Sequence, residues 1–191
     1  MTERKVIAVF GISGVGKTTI IRQWLDGRGD ALHLQASALI RQGLTDPTLD
    51  SEMLRRSSGD RILANQDIMV EMFRHAVAAS RAGLVVFDGH LLIDTDEWLV
   101  EIPLEVVTAL QPHILVHVEQ LPEVIAAHRR ADTRRVRPVR DTSTLQYHQA
   151  RSRRLCQAYG SRLGIGVAQV HGEDESALNA AVALVASGCS G

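Results

Sequence analysis

Residues 11–18 restrict the fold of this chain more than any other segment, because they read G-I-S-G-V-G-K-T and match G-x-x-x-x-G-K-[ST] in full. The apolar run before them, residues 5–10, predicts a strand covered on both faces. Residues 17–26 predict a helix. Glycines let successive backbone N–H groups turn inward, and the start of a helix adds its own unpaired N–H groups. The sequence therefore predicts a loop that binds the phosphates of a nucleoside triphosphate.

The side chains of this loop have separate expected roles. Lys17 is one of only two lysines, Lys5 being the other, in a chain with 21 basic residues. Its ammonium can contact the β- and γ-phosphates, and the Thr18 hydroxyl can ligate Mg²⁺. The predicted nucleotide-binding residues are Gly11, Ile12, Ser13, Gly14, Val15, Gly16, Lys17, Thr18 and Thr19.

Asp88 is a candidate second metal ligand beside Thr18. It ends the apolar run 84–88, and an acid in that position can hold the shell of Mg²⁺. An aspartate before a glycine is also a common turn pair. His90, two residues further on, is compatible with either a functional or a structural role.

Predicted strands alternate with predicted helices along the whole chain. This order is typical of a three-layer α/β domain with a parallel sheet and helices on both faces, here a P-loop NTPase fold. The strands are predicted at 5–10, 31–35, 84–88, 113–118 and 164–170. Ser37 is a predicted helix cap, Ser57 with Asp60 forms a capping signature, and residues 89–103 are predicted to be irregular.

Composition limits the protein to a few classes. The length of 191 residues and 45% hydrophobic content suit one domain, predicted at 1–187 with a tail at 188–191. A net charge of -1 argues against a general nucleic-acid binder. No run is long enough for a membrane span, and Cys156 and Cys189 are expected to be free thiols, so a cytoplasmic location is expected.

An arginine-rich segment occupies residues 129–154. Its nine arginines and two aspartates give +7, so the rest of the chain carries -8. Such a run is often a solvated face, but guanidinium groups also match phosphate oxygens. Residues 129–141 lie between two predicted helices and are expected to form a lid. Arg130 and Arg134 are spaced to share one helical face. On the helix predicted after the lid, Arg151 and Arg153 flank an apolar stripe, and Arg154 lies on the side opposite that stripe.

Taken in order, these motifs resemble those of archaeal-type adenylate kinases over residues 1–187. The similar stretches are V-I-A-V-F-G-I-S-G-V-G-K-T-T-I, V-V-F-D-G-H, V-T-A-L-Q-P-H-I-L-V-H-V-E, the R-R pair with the arginine loop, and H-Q-x-x-x-R. The resemblance implies a nucleoside monophosphate kinase with a five-stranded parallel core, an acceptor-binding region at about 36–82 and a trimeric assembly. It also implies ATP, Mg²⁺ and AMP as ligands.

The resemblance implies acceptor-phosphate contacts at Arg41 and Arg55 and lid contacts at Arg130 and Arg134, which add to the residues assigned above from the motifs. Lys17, Asp88, Arg130 and Arg134 are the expected catalytic residues, with Thr18 and Asp88 at the metal. The acceptor-binding candidates are Arg41, Arg55, His90, Arg151 and Arg153. The segment after His90 is acidic, whereas the family has a basic or neutral stretch there.

The main hypothesis is transfer of the γ-phosphoryl group of ATP to AMP. Two alternatives stay open. The first is a kinase for another small metabolite, in which Asp88 would serve as a base. The second is a nucleotide-regulated NTPase or binding protein.

Overall fold

A computed structural model of the protein describes residues 4–44, 58–133, 137–172 and 174–186. Arg55, Ser57, Arg134, Cys189 and the predicted tail lie outside these residues. The helices are α1 (Lys17–Leu25), α2 (Ala36–Gly43), α3 (Gly59–Ala79), α4 (Leu104–Ala109), α5 (Pro122–Ala131), α6 (Thr142–Leu163) and α7 (Glu175–Ala186). Within the described ranges, none of the helices has both the length and the apolar character needed to cross a membrane.

The strands form one large sheet and one small one. They are β1 (Lys5–Phe10), β2 (Ala31–Gln35), β3 (Leu84–Asp88), β4 (Leu92–Asp94), β5 (Leu99–Glu101), β6 (Ile114–Glu119) and β7 (Gly166–His171). The large sheet has the order β2-β3-β1-β6-β7, and all its pairs are parallel. This confirms the predicted α/β class and its five-stranded parallel core.

Strand β1 explains why the core has two halves. Val6, Ala8 and Phe10 pack into one apolar cluster, whereas Ile7 and Val9 pack into another. Successive side chains of a strand point to opposite faces, so both faces of the sheet are covered. The first cluster includes residues of α2, α3, α4 and α6, and the second includes residues of α1, α5 and α7.

The helix ends follow local capping chemistry. Ser58 caps α3 by accepting a hydrogen bond from the N–H of Arg61 at 3.4 Å. Asp141 caps α6 in the same way by accepting from the N–H of Thr144 at 2.7 Å. The predicted cap at Ser37 is wrong, because α2 begins at Ala36 directly after β2 and Ser37 lies inside the helix.

The expectation that residues 89–103 are irregular is also wrong. Strands β4 and β5 pair antiparallel with Ile93 opposite Val100. Val100 and Ile102 are buried against Ile62 of α3, so the hairpin has its own apolar contact. Each strand has only three residues, one of them an acid. The alternation of apolar and polar residues that predicts a strand is therefore too short to recognise in the sequence.

Cys156 on α6 is a free, fully buried thiol, as expected. Burial raises the pKa of this thiol to about 12. It packs in the first cluster beside Tyr159, whose hydroxyl donates to the carbonyl of Ile102 at 2.7 Å. The apolar stripe predicted for α6 thus faces the core.

The contact between α6 and β7 gives a test of the packing. A Cβ at Gly160 would overlap Val167 Cγ2 and lie 3.2 Å from the carbonyl oxygen of Ile165. Gly160→Ala is therefore expected to lower the free energy of unfolding by about 1–3 kcal/mol, measured by urea titration. The control is Gly59→Ala in α3, where a Cβ meets nothing within 4 Å. Equal stability of the two variants would contradict this packing.

Candidate active site

The loop at residues 11–18 follows β1 at the centre of the sheet and has the backbone that its glycines allow. Gly14 has φ 89° and Gly16 has φ 100°, in the region that side chains other than glycine rarely adopt. Gly16 caps α1, and its carbonyl accepts from the N–H of Ile20 at 3.1 Å. Ile12 and Val15 are buried in the second cluster, so only their backbone can meet a ligand.

Lys17 is held inside this loop. The Lys17 side chain is buried, and its ammonium donates a hydrogen bond to the carbonyl of Gly11 at 3.0 Å. His90 Nδ1 lies 2.7 Å from the same carbonyl and 3.3 Å from Lys17 Nζ. The structure thus places His90, an acceptor-binding candidate, against the loop and its lysine.

Asp88 reaches the loop because of the register of the sheet. It lies opposite Val9 of β1 on one side and opposite Gln35 of β2 on the other. Its Oδ2 accepts a hydrogen bond from Thr18 Oγ1 at 2.6 Å and lies 3.8 Å from His33 Nε2. The two predicted metal ligands are therefore in direct contact.

The surroundings of Asp88 keep its carboxylate ionised. Burial alone would raise its pKa, but nearby His33, the charge of Lys17 and the Thr18 hydroxyl outweigh burial and bring the pKa to about 2. Gln35 adds an amide donor, with Nε2 3.5 Å from Asp88 Oδ2 and 3.4 Å from Thr18 Oγ1. Sequence reasoning missed His33 and Gln35, because only the strand pairing brings β2 to this position.

An ionised carboxylate beside a hydroxyl suits a hard cation such as Mg²⁺, which prefers oxygen ligands. No group of three or more His, Cys, Asp or Glu side chains that could hold a metal occurs among the described residues. Mg²⁺ needs no such cage, because it is usually held by one or two protein oxygens with water and substrate phosphates. Thr18 and Asp88 therefore fit the role predicted for them.

The arginines at the end of α5 differ in their relation to the loop. Arg129 Nε donates to the carbonyl of Ser13 at 2.9 Å, and the preceding His128 Nδ1 lies 3.0 Å from the carbonyl of Gly14. Arg130 is exposed on another face of the helix, and Arg134 lies outside the described residues. The sequence does not single out Arg129 as a site residue, because the i, i+4 spacing favours Arg130 and Arg134.

The other arginines singled out in the sequence are paired with glutamates, exposed to solvent or half-buried. Arg151 Nε donates to Glu101 Oε1 at 2.6 Å, and Arg153 Nη1 donates to Glu119 Oε2 at 3.1 Å. Arg154 is exposed, as its position opposite the apolar stripe predicts. Arg41 is half-buried on α2, the helix that begins next to Gln35.

The segment that carries this site matches a known protein family. The family model described as "AAA domain" matches residues 10–146, well over half of the chain. The chain belongs to this AAA domain family. Its match begins at the last residue of β1 and includes the phosphate-binding loop, Asp88 and the arginines of α5.

Adenylate kinases are among the relatives of this AAA-domain chain. It is 25% identical to the adenylate kinase of Pyrococcus abyssi, with 93% of this chain and 91% of the relative covered. It is 26% identical to that of Thermococcus kodakarensis at the same coverage. The crystal structure of TT1252 from Thermus thermophilus matches with a TM-score of 0.54 and 17% identity over 97% of this chain and 98% of the other, which shows a shared fold.

The resemblance noted in the sequence is thereby confirmed, and the protein is an adenylate kinase-like P-loop protein. The comparisons support a phosphotransferase of the nucleoside monophosphate kinase class.

The pair formed by Thr18 and Asp88 predicts a metal requirement. Asp88→Asn removes the charge but keeps the size, so the Mg²⁺ concentration that half-saturates nucleotide binding should rise about tenfold. Thermal shift with nucleotide at a series of Mg²⁺ concentrations measures this. Asp67→Asn on the exposed face of α3 is the control and should leave the Mg²⁺ dependence unchanged. An unchanged dependence in Asp88→Asn would remove Asp88 from the metal site.

Proposed function

We propose that this protein is an ATP-dependent nucleoside monophosphate kinase that transfers the γ-phosphoryl group of ATP to AMP. The observation that carries the proposal is the convergence of three features at one end of the sheet. These are the glycine-rich loop, the ammonium of Lys17 inside it, and the Thr18–Asp88 pair at 2.6 Å. The adenylate kinases similar to this chain support the same class of reaction.

Phosphoryl transfer in such a site depends on positioning and on positive charge around the moving group. Lys17 would contact the β- and γ-phosphates from inside the loop. Arg129 adds a second cation at Ser13, and Arg130 with Arg134 remain proposed lid contacts. Mg²⁺, when held by Thr18 and Asp88, would supply charge neutralisation at the phosphate oxygens.

The acidity of Asp88 bears on the acceptor. Nearby His33, the charge of Lys17 and the Thr18 hydroxyl lower the pKa of the Asp88 carboxyl, so it suits metal binding better than base catalysis. A hydroxyl acceptor would benefit from a base, whereas the phosphate oxygen of a monophosphate is already an anion. Ionised Asp88 therefore favours a phosphate acceptor such as AMP.

The acceptor phosphate is proposed to meet Arg41 and Arg55, with His90 at the edge of the loop. Arg151 and Arg153 are also proposed acceptor contacts, although each is paired with a glutamate in this structure. A phosphate offers a guanidinium the same bidentate oxygens as a carboxylate. Binding at these two arginines would therefore exchange Glu101 or Glu119 for the ligand.

One observation keeps a kinase for another small metabolite as the second candidate. The tip of the β4–β5 hairpin exposes the side chains of Asp96, Glu97 and Trp98. Acidic groups with an aromatic ring can recognise an amine or a polyol. The trimeric assembly that the resemblance implies stays a prediction, as does a nucleotide-regulated binding role.

Lys17→Ala tests the donor side. Loss of this phosphate contact should lower turnover of ATP with AMP by about 10²–10³-fold, because the charge acts in the transition state. The assay combines ATP and Mg²⁺ with a panel of monophosphates and small alcohols and detects the products. Lys5→Ala, the other lysine, is the control and should keep normal turnover. Transfer to an alcohol but not to AMP would favour the second candidate, and normal turnover in Lys17→Ala would exclude this loop as the site.

Arg41→Ala tests the acceptor side. Loss of one charge-assisted phosphate contact should raise the KM for AMP by about 10–100-fold and leave the KM for ATP within about twofold. Steady-state kinetics with each substrate varied in turn measures the difference. The exposed Arg154→Ala is the matched control and should change neither constant. Equal effects of Arg41→Ala on both constants would reject an acceptor role.

A further inference from the structure

Asp94, the last residue of β4, lies against two arginines and a histidine from separate parts of the chain. Its Oδ2 lies 3.3 Å from Arg129 Nη1 and 3.7 Å from His148 Nδ1. Its Oδ1 accepts from Arg140 Nη2 at 3.1 Å and from Arg140 Nε at 3.3 Å. The Asp94 side chain is only 10% exposed, so these contacts are shielded from solvent.

Arg129 connects this cluster to the phosphate-binding loop. Its side chain is 7% exposed and lies between two acceptors, the Asp94 carboxylate and the carbonyl of Ser13. It also packs on Gly14, where an added Cβ would lie 2.8 Å from Arg129 Cγ. Two of the five N–H donors of the guanidinium make these two bonds, so the plane of the fork is fixed.

The charge on Asp94 opposes repulsion at this position. The positive charges of Arg137 and Arg140 repel the guanidinium of Arg129. A buried guanidinium without a counter-charge is costly, so loss of the carboxylate would favour movement of Arg129 away from the loop into solvent. The bond to Ser13 is a single bond to a neutral carbonyl and is the weaker of the two anchors.

We infer that Asp94 is a positioning residue that holds Arg129 against the Ser13–Gly14 part of the loop and so strengthens binding of the nucleotide phosphates. Asp94 acts through the guanidinium of Arg129, and its contacts described above are with the side chains of Arg129, Arg140 and His148. Arg140 Nη2 also donates to the carbonyl of Thr95 at 2.9 Å, which braces the hairpin that carries Asp94. Asp94 thus acts on the donor side of the site. The inference rests on nucleotide binding by the proposed kinase.

The test is a double-mutant cycle on nucleotide affinity. The dissociation constant of a non-hydrolysable ATP analogue with Mg²⁺ is measured by calorimetry for the wild type, Asp94→Asn, Arg129→Ala and the double variant. Asp94→Asn should weaken binding about tenfold, the size of one charge-assisted contact. In the Arg129→Ala background, Asp94→Asn should alter affinity by less than about twofold, because the guanidinium through which Asp94 affects the nucleotide is absent.

Two further variants separate positioning from a loss of structure. Glu123→Gln removes one exposed charge from the first turn of α5, the helix that carries Arg129, and should leave affinity within about twofold. Asp94→Glu keeps the charge and should restore most of the affinity. If Asp94→Asn lacks a cooperative thermal transition, Asp94→Ser, which also removes the charge, takes its place in the cycle, with the same non-additivity expected.

Three results would overturn the inference. They are analogue binding by Asp94→Asn as tight as in the wild type, tighter binding, or an equal loss with and without Arg129. The readout needs no acceptor, so it is independent of transfer to AMP. A chain that shows the coupling but no kinase activity would reject the proposed function alone, and normal transfer without the coupling would reject this inference alone.

Discussion

The hydrogen bond from Thr18 to Asp88, at 2.6 Å, joins the two segments on which the candidate site depends. Its geometry is set by the parallel sheet, since Asp88 pairs with Val9 and the N–H of Gly89 donates to the carbonyl of Val9 at 3.0 Å. The loop begins where β1 ends, so the hydroxyl and the carboxylate are brought together by strand pairing. A change in that pairing would separate them even if the loop itself stayed intact.

Charge in the site is balanced by acids that are distant in sequence. Asp94, Glu101 and Glu119 lie on strands, whereas their arginine partners lie on α5 and α6 or just before α6. Acids on strands thus hold the guanidinium groups of the helices in place. The whole chain has a net charge of only -1. A phosphate can replace a carboxylate at such a group with little change in hydrogen bonding, which suits a site that binds and releases anions.

Sequence reasoning reached the loop, the five parallel strands and α6 because each has a strong local signal. The sequence did not predict features whose position depends on contacts between residues distant in the chain. The hairpin of β4 and β5 is held by Val100 and Ile102 against a helix far away in sequence. Arg129 differs from Arg130 only in the side of α5 that it occupies, and α5 is too short and too polar for its periodicity to show which side faces the loop. His33 reaches Asp88 only across two paired strands.

The buried thiol of Cys156 has a chemical consequence for the core. Thiolate is the form that reacts with peroxides and alkylating agents. Burial raises the pKa of the Cys156 thiol far above neutral pH, so the folded protein carries it as the thiol. Oxidants and thiol reagents therefore leave the interior between α6 and the sheet untouched while the chain is folded. Reaction at this sulfur would report opening of that interior, so the cysteine is a built-in probe of unfolding.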